Sequence, residues 1–153
     1  MNQSAIDLWS KFKNEYSIIH DHYEVWAFGN SARMADELLT HVLKREKTGT
    51  SSLHLLYKLG LEDEQIPEVG SYSVLLDGAD QAQAIICTKV VDILPYSQIS
   101  DVHAYLEGEG DRTLSYWRRV HQPFFEQALE EYGLTFSEDM LIVYEVFELV
   151  FQK

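Results

Sequence analysis

Ser71 to Pro95 reads SYSVLLDGADQAQAIICTKVVDILP. Tyr72 to Leu76 is a short run of strand formers. Asp77-Gly78 is a strong turn signal, and Ala82 to Leu94 is a second, longer run that Pro95 closes. Two such runs joined by a tight turn predict an antiparallel hairpin, introduced by Pro67-x-x-Gly70. Cys87 lies mid-strand between Ile86 and Thr88, where a small buried hydrophobe is expected rather than a nucleophile.

The flanking sequence extends this hairpin into an α+β fold. Near the end of the chain, Met140 to Phe151 (MLIVYEVFELVF) predicts another strand, with Glu145 and Glu148 read as solvent or edge markers. Tyr23 to Phe28 (YEVWAF) predicts a strand before Gly29-Asn30. Helical spacing recurs in Ile6, Trp9, Phe12 and Tyr16, and again in Met34, Leu38 and Val42 after a Ser31 cap. Lys47 to Ser52 reads as a turn-like, hydroxyl-rich loop. Leu53 to Leu59 reads as a short helix or an irregular segment. Ser100-Asp101 can cap a short helix over 102–106. Thr113 to Tyr132 predicts the longest helix, kinked or broken near Gln122 by Pro123 and closed by Gly133. Strands joined by hairpins, with no βαβ alternation, predict a small, mostly antiparallel sheet or barrel flanked by helices.

The 153 residues fit one compact domain, and 46% hydrophobic residues suffice for its core. No apolar run reaches membrane-spanning length, and the N-terminus lacks a signal-peptide core. A single cysteine excludes an internal disulfide and a multi-cysteine zinc site. Together these favour a cytoplasmic protein. Twenty-five acids against twelve bases give a net charge of −13, which disfavours tracking along a long polyanion. Seven of the bases fall in two segments: Arg33, Lys44, Arg45 and Lys47, then Arg112, Arg118 and Arg119. A local basic pocket on an acidic body is compatible with that distribution.

Three stretches carry residues suited to chemistry. Lys47-Thr48-Gly49-Thr50-Ser51-Ser52 sets an amine among hydroxyls, as a lysine-assisted nucleophile or an anion cradle requires. A polar helix-exit loop has the same composition, and spacing alone favours that plainer reading. Glu107, Glu109 and Asp111 alternate with glycines, as either a ligand-binding acidic loop or a solvated one. Trp117 and His121 share a helix face beside Arg118, as a stacking wall or as scaffold. His20-Asp21-His22 has no third ligand nearby in sequence, so no metal or cofactor is expected.

Taken in order, VWAFGNSARMADELLTHVLKREKTGTSS, IPEVGSYSVLLDG, HAYLEGEGDRTLSYWRRVHQPFF and EDMLIVYEVFELVF resemble the longer bacterial members of the ASCH (activating-signal-cointegrator homology) family. The resemblance covers about Tyr23 to Phe151 and implies an ASCH domain over 23–153, preceded by a helical extension over 1–22. It implies a PUA-like β-barrel with RNA or nucleoside ligands in a cleft beside it. The family's Gly-x-Lys-x-x-Thr motif is matched at Lys47 and Thr50, with Arg45 in place of the glycine.

In one branch, which hydrolyses the amide of N4-acetylcytidine, a threonine nucleophile acts with a lysine and a glutamate. The glutamate follows His-Ala-x-x-Glu, here His103 to Glu107. Another branch cleaves RNA. The resemblance therefore implies Lys47, Thr50 and Glu107 as candidate catalytic residues. Trp26, Arg45, Ser51, Tyr72, Glu109, Asp111, Trp117, Arg118 and His121 are candidate ligand contacts. The expected partner is a nucleoside, nucleotide or short RNA, either hydrolysed as an acylated nucleoside, bound without catalysis, or cleaved as RNA without metal. A homodimer is left open.

Overall fold

The computed structural model describes residues 1–153. Five helices and five strands follow in the order α1 (Gln3–Tyr16), β1 (Glu24–Trp26), α2 (Ala32–Leu43), β2 (Gly49–Leu53), α3 (His54–Lys58), β3 (Tyr72–Leu76), β4 (Ala82–Pro95), α4 (Asp101–Glu107), α5 (Leu114–Glu130) and β5 (Leu141–Gln152). A 3₁₀ turn, Tyr96–Gln98, follows β4.

The β3–β4 hairpin lies at the centre of a single sheet of order β1-β3-β4-β5-β2. Only β1–β3 is parallel; the other three pairings are antiparallel. Register shifts between Ile85 and Ile86 and between Thr88 and Val90 mark bulges in the long β4–β5 ribbon. Bulges raise local twist, and the sheet curls into a half-barrel. The expected mixed fold with a small, mostly antiparallel barrel is thus present, with β1 and β2 as its free edges.

Helices cover the sheet in three apolar clusters. Leu8, Trp9 and Phe12 of α1 pack on Val74 and Ile85. Leu39 and Val42 of α2 pack on Leu75, Ala84, Ile86 and Phe147. Trp117, Phe125 and Leu129 of α5 pack with Ile142 and Tyr144 of β5. Alternate residues of β3 thus serve different helices, as a two-residue strand period requires.

Three local expectations are corrected. The hydroxyl-rich loop is instead strand β2, since β5 offers Gly49 to Leu53 a full antiparallel partner from Val146 to Ile142. Tertiary pairing overrides the weak local signal. Of the expected kink or break near Gln122, the break is absent: α5 is one continuous helix through Pro123. Proline removes the bond to the carbonyl four residues earlier, but Pro123 and Arg119 are both exposed, so water can satisfy that carbonyl. Glu145, read as a solvent marker, is buried at 5% exposure, whereas Glu148 is exposed.

Candidate functional site: a buried charge cluster beneath an aromatic cleft

Two loops deliver the sequence-derived residues to one place. After α2 the chain turns through Arg45, which adopts φ +62°, the left-handed conformation that a glycine favours. Arg45 therefore makes the turn expected of the family's glycine. Its guanidinium bonds the Leu149 carbonyl at 3.3 Å, away from the site.

The second loop leaves α4 through Gly108 at φ +72°. A Cβ there would lie 2.2 Å from the Glu46 carbonyl oxygen. Close approach of two backbones, rather than of backbone to ligand, accounts for that glycine. Beside it, Thr48 N–H donates to the Leu106 carbonyl at 2.8 Å.

Those contacts bring Lys47 to Glu107. The Lys47 ammonium donates to the Gly49 carbonyl at 2.9 Å, to Glu107 Oε1 at 3.3 Å and to Glu109 Oε2 at 3.3 Å. Glu107 Oε1 also faces His121 Nε2 at 3.2 Å. Its Oε2 accepts from Ser51 Oγ at 2.9 Å and from the Trp117 indole N–H. Lys47 and Glu107 are 2% and 1% exposed.

His121 Nδ1 donates to the Trp117 carbonyl at 2.9 Å. Both ring nitrogens therefore face acceptors, which suits the imidazolium. Burial opposes that charge, but the Glu107 carboxylate outweighs it and raises His121 above its ordinary value. Burial alone would raise the Glu107 carboxyl; the His121 and Lys47 cations, with hydrogen bonds from His121 and Trp117, hold it down to about 2. Two cations and two carboxylates thus balance one another in the interior, the condition under which buried charge is tolerated. Glu107, Glu109 and His121 have ligand atoms within 4.8 Å of one another, a spacing that could hold a metal. The Lys47 ammonium stands beside both carboxylates, where such a cation would sit.

Thr50 belongs to a different face. Strand alternation directs Ser51 to Glu107, while Thr50 pairs in register with Glu145. Thr50, Ser51 and Ser52 form one wall of a cleft of ≈ 340 Å³, and Glu24 and Trp26 of the opposite edge strand form another. Phe28, Tyr57, Tyr72, Phe124 and Phe125 supply further aromatic surface, and the loop after α3 adds Glu62, Glu64 and Glu68.

No lysine or arginine lines the cleft, but five glutamates do. Burial raises the carboxyls of Glu62 and Glu64, with their acidic neighbours adding to the shift. Glu145, at the base, is likewise raised by burial, against the opposing effects of the Thr88 hydrogen bond and of Lys47. Thr88 Oγ1 donates to Glu145 Oε1 at 2.5 Å.

The candidate residues therefore separate into three groups. Lys47, Ser51, Glu107, Glu109, Trp117 and His121 are joined in the buried cluster. Trp26, Thr50, Ser51 and Tyr72 line the cleft, so Ser51 belongs to both. Arg45, Asp111 and Arg118 belong to neither. Asp111 Oδ1 instead accepts from the Thr113 N–H and hydroxyl at the start of α5. Trp117 offers no open ring face: His121 stacks on it at 4.3 Å and 10°, and Tyr96 packs against it at 5.3 Å. His103 caps α4, its Nδ1 accepting from the Ser100 N–H at 3.0 Å. The cleft's five glutamates, Glu145 at its base among them, are lining residues the sequence did not single out.

The fold has counterparts among known proteins. A crystal structure of a protein from Enterococcus faecalis V583, described as DUF984, shares 36% identity over 98% of this chain and 90% of that one, at a TM-score of 0.89. The ASCH domain from Lactobacillus crispatus JV V101 shares 28% identity over 97% of this chain and 95% of that one, also at 0.89. The comparison with curated proteins gives no match. No helix is long and apolar enough to cross a membrane. The fold is the PUA-like fold of its ASCH neighbours. The ASCH domain model matches residues 24–151, and the chain belongs to the ASCH domain family.

Proposed function

We propose that this protein binds a nucleoside, without its phosphate, in the cleft between β1 and β2. The family's association with RNA and nucleoside ligands sets the ligand class. The observation that carries the reading is the cleft's lining, with aromatic rings beside five glutamates and no lysine or arginine. Aromatic side chains suit a base, whose face stacks favourably. A phosphate would enter a field of like charge. The volume, ≈ 340 Å³, lies within the range of small-molecule sites.

Titration calorimetry with adenosine, cytidine, guanosine and uridine tests this. Binding of at least one is expected, and Trp26→Ala should weaken it by roughly tenfold, since one stacked base is worth about 1–3 kcal/mol. Absence of binding by all four would contradict the reading.

A second reading, hydrolysis of an acyl group from a nucleobase amine, is favoured by Thr50, which lines the cleft. In it the Thr50 hydroxyl attacks the acyl carbon, the C–N bond breaks and the base leaves as its free amine with the hydroxyl proton; water then hydrolyses the Thr50 ester to acetate, with Lys47 and Glu107 in support. Lys47 is committed to ion pairs with Glu107 and Glu109, which leaves binding ahead of turnover. Release of acetate from N4-acetylcytidine, lost in Thr50→Ala, would establish the hydrolase; an intact substrate would leave the binding function alone. Cleavage of RNA ranks below both, because the cleft's glutamates oppose a phosphodiester.

A further inference from the structure

Glu145 is a carboxyl whose position neither the ion-pair cluster nor the fold explains. It is 5% exposed, in the central part of β5, with Val143 and Phe147 of the same strand face also buried. Only Oε1 has a donor, the Thr88 hydroxyl. Tyr96 Oη is the one side-chain polar atom both fully buried and unpartnered. The second oxygen of Glu145, which no donor of the chain reaches, is therefore open to the cleft that Glu145 lines.

A buried carboxylate without a counter-ion is costly. The nearby ammonium, Lys47, is already engaged by Glu107 and Glu109. The same cleft is lined by Glu24, Glu62, Glu64 and Trp26. An aromatic face and carboxylates together are the chemistry that holds an organic cation.

We propose that the cleft selects a nucleobase bearing a positive charge, with Glu145 as its counter-ion and Trp26 against its face. This rests on the nucleoside reading above and narrows it. A base made cationic by N-methylation carries its charge in the ring, so stacking and ion pairing act on the same group. The ligand would bring to Glu145 the charge that the chain itself does not supply.

The test compares 1-methyladenosine and 3-methylcytidine, both cationic at neutral pH, with adenosine and cytidine by titration calorimetry on the intact protein. The methylated nucleosides are expected to bind at least about tenfold more tightly than their parents. In Glu145→Gln, which keeps an oxygen to accept from Thr88, that preference should disappear. Methylated nucleosides that bind no better than their parents would overturn the inference and leave the nucleoside reading standing, as would a preference that survives in Glu145→Gln. If none of the four binds, the inference fails; the nucleoside reading fails with it only if guanosine and uridine do not bind either. The comparison in the unsubstituted protein decides the matter even if the variant does not fold.

Discussion

The Lys47 ammonium lies 3.3 Å from Glu107 Oε1, across sixty residues of chain, with both side chains cut off from solvent. Around that pair the structure arranges Glu109, His121, Ser51 and Trp117, so the cluster ties α4, α5 and β2 together. Its first consequence is for stability. Removing one partner of a buried pair strands the other, at a cost of about 3–5 kcal/mol. Lys47→Met and Glu107→Gln should each lower unfolding free energy by that order in urea titrations. Combined, they should cost less than the sum, because neither charge is left alone. Strict additivity would mean that the pair is not coupled.

The cluster also sets a pH dependence. Glu107, held below its ordinary 4.5, contributes stability that is complete above that value and is lost as pH falls towards about 2. His121, raised above its ordinary 6.5, contributes stability that is complete below that value and is lost as pH rises through its folded value. The joint contribution is therefore fullest between 4.5 and 6.5. Thermal unfolding across pH should show His121→Gln flattening the alkaline limb relative to the parent. An unchanged alkaline limb would remove His121 from the account.

The two loop turns predict opposite responses to substitution. Gly108→Ala meets both a positive φ and the Glu46 carbonyl oxygen at 2.2 Å. It should destabilise by about 2–5 kcal/mol, combining left-handed strain with overpacking. Arg45→Gly relieves left-handed strain of about 1–2 kcal/mol and loses one exposed-residue hydrogen bond to Leu149. It should leave stability equal or higher. Denaturant midpoints measured side by side check both.

Much of this was legible because local and tertiary signals agreed. Asp77-Gly78 between two apolar runs gives the hairpin, and the motif around Lys47 with the Glu107 segment gives four of the cluster's members, Lys47, Ser51, Glu107 and Glu109. Gly108 could not be interpreted alone, because its cause is the Glu46 backbone in a distant loop. Strand β2 was hidden because Thr50-Ser51-Ser52 pairs only through β5. Its alternation sends Ser51, not Thr50, to Glu107, a distinction that a loop reading cannot make. Glu145 left no clear signal: Ile142 and Tyr144 of the opposite parity are as buried as Val143 and Phe147, so alternation along β5 could not place it. The cleft itself, assembled from both sheet edges, α3, α5 and the loop between α3 and β3, has no counterpart in any single stretch of sequence.

On the proposed function, the cleft takes a nucleoside and its negative lining refuses the phosphate. Paired calorimetric titrations of adenosine and cytidine against their 5′-monophosphates, at low ionic strength where charge effects are largest, test it most directly. The nucleosides are expected to bind more tightly, with the gap narrowing as salt is added. Equal or tighter binding of the monophosphates would contradict it.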